Sequence, residues 1–234
     1  MKTKNNPIVL PYEGKNVPHI LIEVNQTCNI QCKACYKHKY KYQKPLDLIK
    51  QEIDLAVSAR DIHIITIAGG EPTMHPQLPE VIRYISQKGK LVQMLSNGYD
   101  LKDEILTKYK EAGLHKIYIH IDSMQNRPDH GKVSSELEMN SLREKIAKKI
   151  TRNGIYCGLS LTLYPERFHE LPSIMEFLMN SKHIKWLLVT CCRDFDRITK
   201  AIKNLGAIDE HITPESTNEA GMPLNEFHRY KILL

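Results

Sequence analysis

Three cysteines stand close together in the first part of the sequence. Cys28, Cys32 and Cys35 lie within eight residues, with three and then two residues between them. Thiolates are soft ligands, which select iron–sulfur clusters, zinc or Cu(I). Clustered cysteines of this kind predict a metal centre or a catalytic site rather than disulfide bonds.

Two kinds of metal centre fit this spacing. A closed structural zinc site takes four protein ligands, and His38 could complete such a set because it follows Cys35 closely. A cubane [4Fe–4S] cluster usually takes four cysteines, so three of them leave one iron open to a substrate or cofactor. The cysteines alone therefore leave a zinc site and a catalytic iron–sulfur centre as alternatives.

The elements that must position these cysteines alternate between strand and helix patterns, which is typical of parallel strands joined by crossover helices. Runs of β-branched and other apolar residues predict six strands, at 19–25, 62–67, 90–96, 116–121, 155–163 and 184–190. Apolar residues at helical spacing predict helices at 45–60, 77–88, 100–112, 137–152, 169–180 and 196–204. Asp100 is expected to cap the third helix and Gly113 to end it.

Parallel βα units place their functional loops at the carboxyl ends of the strands. The cysteines follow the first predicted strand, and the run Gly69-Gly70-Glu71-Pro72-Thr73 follows the second. The other polar or thiol residues expected at strand ends are Ser96, Asn97, Asp122, Ser123, Cys191 and Cys192. All of these residues should meet at one face, whereas Cys157, near the start of its strand, should be buried or lie toward the opposite end.

Together, these motifs resemble those of the radical SAM superfamily, from about residue 19 to residue 190. The stretch 28–36 resembles the cluster loop of that family, and 69–73 resembles its second motif, which contacts the methionine amino group of S-adenosylmethionine (SAM). The resemblance implies a partial (β/α)6 TIM-like barrel, in agreement with the six predicted units. One departure is that Ala34 precedes the third cysteine, where the family often has an aromatic residue, and Tyr36 follows it instead.

The resemblance also implies roles for individual residues. Cys28, Cys32 and Cys35 would hold three irons of a [4Fe–4S] cluster, and the amino and carboxylate groups of SAM would chelate the fourth. The implied SAM contacts are Tyr36, Gly69, Gly70, Glu71, Ser96, Asn97, Asp122 and Ser123. In this set 69–71 would cradle the methionine end, 96–97 would bond the ribose or carboxylate, and Tyr36 would line the adenine pocket.

Some of these positions have a structural alternative. Asn97 and Gly98 are equally typical of a turn, and the pair 122–123 could cap a loop. The family packs adenine where Leu163 and Tyr164 stand, although core packing is favoured for Leu163.

Several residues could face a substrate. In the polar loop 120–130, Arg127 and His130 could reach one or be solvated, and His120 could face the barrel interior or be a core histidine. Cys191 or Cys192 could donate a hydrogen atom or bind substrate, although inert buried thiols are favoured.

The composition is that of an ordinary globular protein, with 234 residues, 41% of them hydrophobic and 26% charged. We expect an N-terminal extension at 1–18, the barrel at 19–205 and a C-terminal extension at 206–234. No apolar run approaches the roughly 20 residues of a membrane span, and 1–6 has no apolar segment of a secretory signal, so the cytoplasm is the expected location. The net charge of +6 is modest, and the basic aromatic segment 36–44 is more typical of a solvated loop than of a nucleic-acid contact.

The function predicted from these observations is reductive cleavage of SAM to a 5′-deoxyadenosyl radical, which abstracts a hydrogen atom from an unidentified small-molecule or peptide substrate. A flavodoxin- or ferredoxin-like electron donor is implied, in a biosynthetic or maturase-type reaction. The alternatives are a zinc-binding module that binds nucleic acid, and a catalytically inactive scaffold paralogue.

Overall fold

A six-stranded parallel sheet organises the chain, as the computed structural model shows for residues 15–33, 35 and 40–192. The strands, which follow chain order across the sheet, are β1 Asn16–Glu23, β2 Asp61–Ala68, β3 Leu91–Ser96, β4 Leu114–His120, β5 Tyr156–Leu163 and β6 Ile184–Cys191. The α-helices that join them are α1 Leu46–Ala59, α2 Leu78–Gln87, α3 Asp103–Ala112, α4 Asn140–Arg152 and α5 Leu171–Asn180. The sheet curls into a half-barrel, which confirms the predicted partial (β/α)6 barrel. The predicted helix 196–204 lies outside the described residues.

The core lies between the helices and one face of the sheet. Along β4, Ile117 and Ile119 are fully buried, and they alternate with half-buried residues because successive strand side chains point to opposite faces. The helices contribute apolar residues at helical spacing, as Val81 and Ile85 do in α2. Each such side chain contributes about 1.5–3 kcal/mol by leaving water. This packing fixes where each strand ends, and therefore where the loops of the site begin.

The other face of the sheet carries polar and aromatic side chains. The Lys116 Nζ lies 3.8 Å from the ring centroid of Trp186 in β6, and Trp186 meets the Tyr156 ring edge-on with centroids 5.8 Å apart. Among the described residues these rings are partly exposed, at 40% for Trp186 and 52% for Tyr156. The inner face of the half-barrel therefore offers aromatic surface and a cation.

Some predicted helix boundaries are wrong. The third helix, α3, begins at Asp103 rather than after Asp100, because Lys102 takes the N-cap position with an extended backbone. Its end at Gly113 is confirmed, since Gly113 adopts a left-handed conformation with φ of 107°. The last described helix, α5, begins at Leu171 rather than residue 169, because 3₁₀ turns occupy Pro165–Glu170.

Two further expectations concern membrane-spanning helices and the division into domains. In the part of the chain that the structure describes, no helix has both the length and the apolar character needed to cross a membrane. The predicted division into 1–18, 19–205 and 206–234 stays a prediction.

Candidate active site

The ends of β1 and β2 are joined by the side chain and backbone of Asn25. The Asn25 amide nitrogen donates to the Glu71 carbonyl at 2.8 Å, and the Gly70 N–H donates to both oxygens of Asn25, at 3.0 and 3.1 Å. The Glu71 N–H donates to the Thr27 carbonyl at 2.8 Å. The Gly-Gly-Glu run is therefore bonded to the chain just before the first cysteine.

The absence of a side chain at the two glycines of this run allows the backbone of residues 25–27 to approach closely. A Cβ on Gly69 would stand 2.4 Å from the Asn25 side-chain oxygen, and one on Gly70 would stand 2.3 Å from the Thr27 carbonyl oxygen. The sequence suggested that these glycines admit a ligand, whereas the close approach in the structure is to residues 25–27. Their direct contact with SAM stays a prediction.

The Glu71 carboxylate is buried and accepts four hydrogen bonds from the chain. It accepts hydrogen bonds from the N–H and hydroxyl of Thr73, at 3.2 and 2.7 Å, from the Ser96 hydroxyl at 2.8 Å and from the Asn97 N–H at 2.7 Å. Burial raises the pKa of this carboxyl, and the four hydrogen bonds oppose that rise. Three of these donors reach Oε1 and one reaches Oε2, so the side chain joins the ends of β2 and β3, and its role in cradling SAM stays a prediction.

Asn97 connects the end of β3 to the cysteine loop. Its amide nitrogen donates to the Asn29 side-chain oxygen at 2.7 Å and lies 3.9 Å from the Cys28 sulfur. Its amide oxygen accepts from the Tyr99 N–H at 2.9 Å, which is the turn that the sequence left open as an alternative. The Ser96 hydroxyl likewise accepts from the Gly98 N–H at 3.1 Å.

The cysteine loop is held against the segment that follows β4. A two-residue antiparallel ladder pairs Gln31–Cys32 with Gln125–Asn126, and the Lys33 N–H donates to the Met124 carbonyl at 3.0 Å. Within the loop, the Cys35 N–H donates to the Cys32 carbonyl at 3.3 Å. The backbone of the loop is thus anchored on two sides.

The thiols of this loop remain accessible. Cys28 and Cys32 are half-buried and Cys35 is exposed. Among the described residues, no three His, Cys, Asp or Glu side chains gather closely enough to hold one metal ion. Tyr36 and His38 lie outside the described residues, so their predicted roles stay predictions.

Two buried oxygens lack partners after β4. Asp122 is fully buried, and its Oδ1 accepts from the Met124 N–H at 2.9 Å. Its Oδ2 has no hydrogen-bond partner among the described residues, nor has the buried Ser123 hydroxyl. The Oδ2 lies 3.1 Å from the His120 Nε2, a distance that allows an ion pair but without hydrogen-bond geometry. Such orphaned oxygens are costly unless a ligand or water satisfies them.

A buried ion pair that sequence reasoning missed supports these two residues. Arg143 of α4 and Glu136 are both fully buried and paired with each other. The Arg143 guanidinium also donates to the Ile121 carbonyl at 2.9 Å, and Glu136 accepts from the Ser123 N–H at 2.8 Å. Burial lowers the pKa of Arg143, and Glu136 opposes that change. A charged residue on the apolar face of α4, between Met139 and Ile146, was the available signal.

Arg127 is neither solvated nor free to reach a substrate, so both expectations for it are wrong. Its Nε and Nη2 donate to the two carboxylate oxygens of Asp129, at 2.9 and 3.0 Å. Its Nη1 donates to the Asn97 carbonyl at 2.7 Å. Arg127 is only 5% exposed, and it braces the end of β3. His130 presents a buried Nε2 with no hydrogen-bond partner among the described residues.

These loops lie in a region that matches the family model of the radical SAM superfamily, over residues 22–178 of the 234. The chain belongs to the radical SAM superfamily. The homologues in this family are enzymes, and the family implies SAM and an iron–sulfur cluster. The alternative of a zinc-binding nucleic-acid module does not account for this fold.

The relatives of this chain within the radical SAM superfamily are longer than the chain itself. This chain is 23% identical over 171 residues to a tungsten-containing aldehyde ferredoxin oxidoreductase cofactor-modifying protein of Pyrococcus furiosus. The matched region covers 69% of this chain and 48% of that relative. The chain is 26% identical over 179 residues to an Fe-coproporphyrin III synthase of Methanosarcina barkeri, covering 74% and 44%. The chain therefore spans about half the length of these curated relatives.

A solved radical SAM structure shares the fold. The crystal structure of Streptococcus suis SuiB bound to S-adenosylmethionine superposes with a TM-score of 0.58 at 16% identity, over 83% of this chain and 46% of SuiB. This likeness supports the half-barrel and, at such low identity, shows the fold alone.

Three further residues for which the sequence left a choice lie at the ends of β4 and β5. Leu163 packs with Leu161 and Ile174, which confirms core packing, and Tyr164 is buried beside it with the Lys33 Nζ 5.4 Å from its ring centroid. The ring of His120 is half-buried on the inner face, with its Nε2 3.0 Å from the Thr162 hydroxyl.

The other three cysteines differ from one another. Cys157 is fully buried at the start of β5, as expected, and burial raises the pKa of its thiol to about 12. Cys191 ends β6 and is exposed, and Cys192 is half-buried, so the expectation that both are buried is wrong. The strand β6, which Cys191 ends, lies at the edge of the sheet.

Proposed function

We propose that this radical SAM enzyme holds a [4Fe–4S] cluster on Cys28, Cys32 and Cys35 and binds SAM beside it. The observation that carries the proposal is the bonding of the cysteine loop to the carboxyl ends of three neighbouring strands. Backbone bonds join it to the Gly-Gly-Glu run after β2 and to residues 124–126 after β4, and Asn97 joins it to β3. Parallel strands place such loops where ligands bind.

The donor set fits a cluster better than a single ion. In a cubane each thiolate binds a different iron, so the three sulfur atoms need not converge on one point, and none of the described thiols is part of a single-ion group. Three thiolates leave one iron for the amino and carboxylate groups of SAM. Cys35 is exposed, so the cysteine loop is accessible from solvent.

The SAM side of the site would satisfy the two orphaned oxygens. The Asp122 Oδ2 can accept a hydrogen bond from a polar group of SAM, and the Ser123 hydroxyl can donate or accept one. The buried pair of Arg143 and Glu136 would hold both residues in place. Gly69, Gly70 and Ser96 would shape the same pocket from the neighbouring strand ends.

When bound, these cofactors supply one-electron cleavage of SAM, and so a 5′-deoxyadenosyl radical that can take a hydrogen atom from a substrate carbon. The chain's own part is to bind both groups, to orient them and to exclude water from the reacting atoms. A flavodoxin- or ferredoxin-like protein would supply the electron.

The substrate would lie on the inner face of the half-barrel. His120 and Thr162 lie on that face near the carboxyl ends of β4 and β5, where the cysteine loop also lies, and their side chains can hydrogen-bond a polar substrate. The aromatic surface around Trp186 lies toward the amino ends of the strands. We propose a biosynthetic or maturase-type reaction on a small molecule or peptide, in line with relatives described as a cofactor-modifying protein and an Fe-coproporphyrin III synthase.

Anaerobic reconstitution tests the proposal. The protein should hold about four irons and four sulfides per chain, and SAM should change the electron paramagnetic resonance spectrum of the reduced cluster, because it occupies the open iron. Stoichiometric zinc without sulfide would contradict the proposal. A cluster whose spectrum ignores SAM would favour the inactive scaffold.

A further inference from the structure

We propose that Asn97 donates a hydrogen bond from its side-chain amide to the Cys28 sulfur and thereby raises the reduction potential of the cluster. The inference rests on the proposed function, since it needs a cluster on Cys28. The amide nitrogen lies 3.9 Å from that sulfur, within reach of an N–H···S hydrogen bond. Asn97 is thus a positioning residue that acts through a cysteine.

The orientation of the Asn97 amide follows from its neighbours. The Tyr99 N–H can only donate, so the atom 2.9 Å from it must be the amide oxygen. The amide nitrogen then points to the other side, where Asn29 and Cys28 stand. A flipped amide would set a lone pair against the sulfur and lose the Tyr99 bond.

The backbone of Asn97 is fixed as firmly as its side chain. The N–H donates to the buried Glu71 carboxylate at 2.7 Å, and the carbonyl accepts from the Arg127 Nη1 at 2.7 Å. Arg127 is in turn held in a two-point pair with Asp129, so its guanidinium cannot rotate freely. Asn97 is 6% exposed, and all its polar groups are committed to the chain.

The sign of the effect distinguishes a hydrogen bond from loose packing. Reduction adds negative charge to the cluster and its thiolates, and an N–H aimed at a sulfur stabilises that charge, which raises the potential. Removing the donor should therefore lower the potential. If the substitution acted only by opening the loop to water, hydration would favour the reduced, more charged cluster and the potential would rise.

The potential of the SAM-free cluster, followed by electron paramagnetic resonance during a redox titration, tests this directly. Asn97→Leu keeps the size and removes the donor without adding a charge, so its potential is the one that tests the hydrogen bond. We expect the iron and sulfide content to stay the same and the equilibrium constant for one-electron reduction to fall about tenfold, which is 59 mV for such a couple. Arg127→Lys should also lower the reduction potential, but by less.

Asn29→Ala is the matched control, because it removes the other partner of the Asn97 amide and keeps the Cys28 contact. Its potential should stay at that of the parent. An unchanged or raised potential in Asn97→Leu, with the cluster intact, would overturn the inference. A parent protein without iron and sulfide would instead overturn the proposed function.

Pulsed electron paramagnetic resonance on the parent gives a second test that needs no substitution. With asparagine labelled with ¹⁵N only at its side-chain amide, the reduced cluster should show a weak nitrogen coupling through the N–H···S bond, and Asn97→Asp should remove it if that variant keeps its cluster. Absence of any such coupling in the parent would overturn the inference.

Discussion

Adding a single methyl group at Gly70 should disrupt the proposed metal centre. A Cβ there would stand 2.3 Å from the Thr27 carbonyl oxygen and 2.6 Å from the Gln26 carbonyl oxygen. Carbon–oxygen contacts seldom fall below about 3.3 Å, so one of the two segments must move by about 1 Å. Both obstacles are backbone atoms within the two residues before Cys28, and neither can rotate away as a side chain could.

The cost of Gly70→Ala follows from the hydrogen bonds that this movement breaks. The N–H groups of Gly70 and Glu71 donate to Asn25 and Thr27. At about 0.5–1.5 kcal/mol per bond, their loss should lower the free energy of unfolding by about 1–3 kcal/mol. Because Thr27 adjoins Cys28, we also expect the reconstituted variant to bind well under half the iron of the parent.

Iron and sulfide analysis after anaerobic reconstitution, together with urea denaturation, measures both effects. Gly131→Ala is the matched control, because nothing lies within 4 Å of a Cβ at that glycine and both properties should match the parent. A Gly70→Ala variant with full iron content and unchanged stability would refute the reasoning from this contact.

Two further predictions concern buried groups away from the cysteine loop. Arg143→Met should lower the free energy of unfolding in urea by about 3–5 kcal/mol, because it leaves the Glu136 carboxylate buried without its partner. Adding Glu136→Gln should recover part of that loss, and a cost below about 1 kcal/mol would contradict the assigned role. Since burial raises the pKa of Cys157 to about 12, its thiol stays protonated and unreactive from pH 7 to 9. Mass spectrometry after labelling with a thiol reagent should find Cys191 modified and Cys157 unmodified until the protein unfolds, and equal labelling of both would contradict the burial.

The strands and the placement of the loops could be predicted from the sequence because they depend on local patterns. Runs such as the one that forms β2 Asp61–Ala68 are recognisable from β-branched residues, and the parallel order then brings the cysteines, Glu71 and Asp122 to one edge of the sheet. The start of α3 was missed because an aspartate at 100 and another at 103 both suit a helix N-terminus.

The bonds within the site could not be predicted, because they join residues far apart in the chain. Asn25 and Glu71 are 46 residues apart, and Arg127 and Asn97 are 30 apart. Sequence spacing cannot tell that Glu71 accepts four hydrogen bonds from the chain or that Arg127 is buried. The sequence thus indicated which residues meet, and the structure assigns several of them to holding the loops rather than to direct contact with a ligand.

Release of 5′-deoxyadenosine from SAM tests the central claim most directly. The dithionite-reduced, reconstituted parent should release it slowly even without substrate, and Cys191→Ala should still do so. Cys28→Ala, Cys32→Ala and Cys35→Ala should each release none above background, because each removes one thiolate ligand of the cluster. Release that persists in all three cysteine variants would show that the cluster sits elsewhere and would contradict the account.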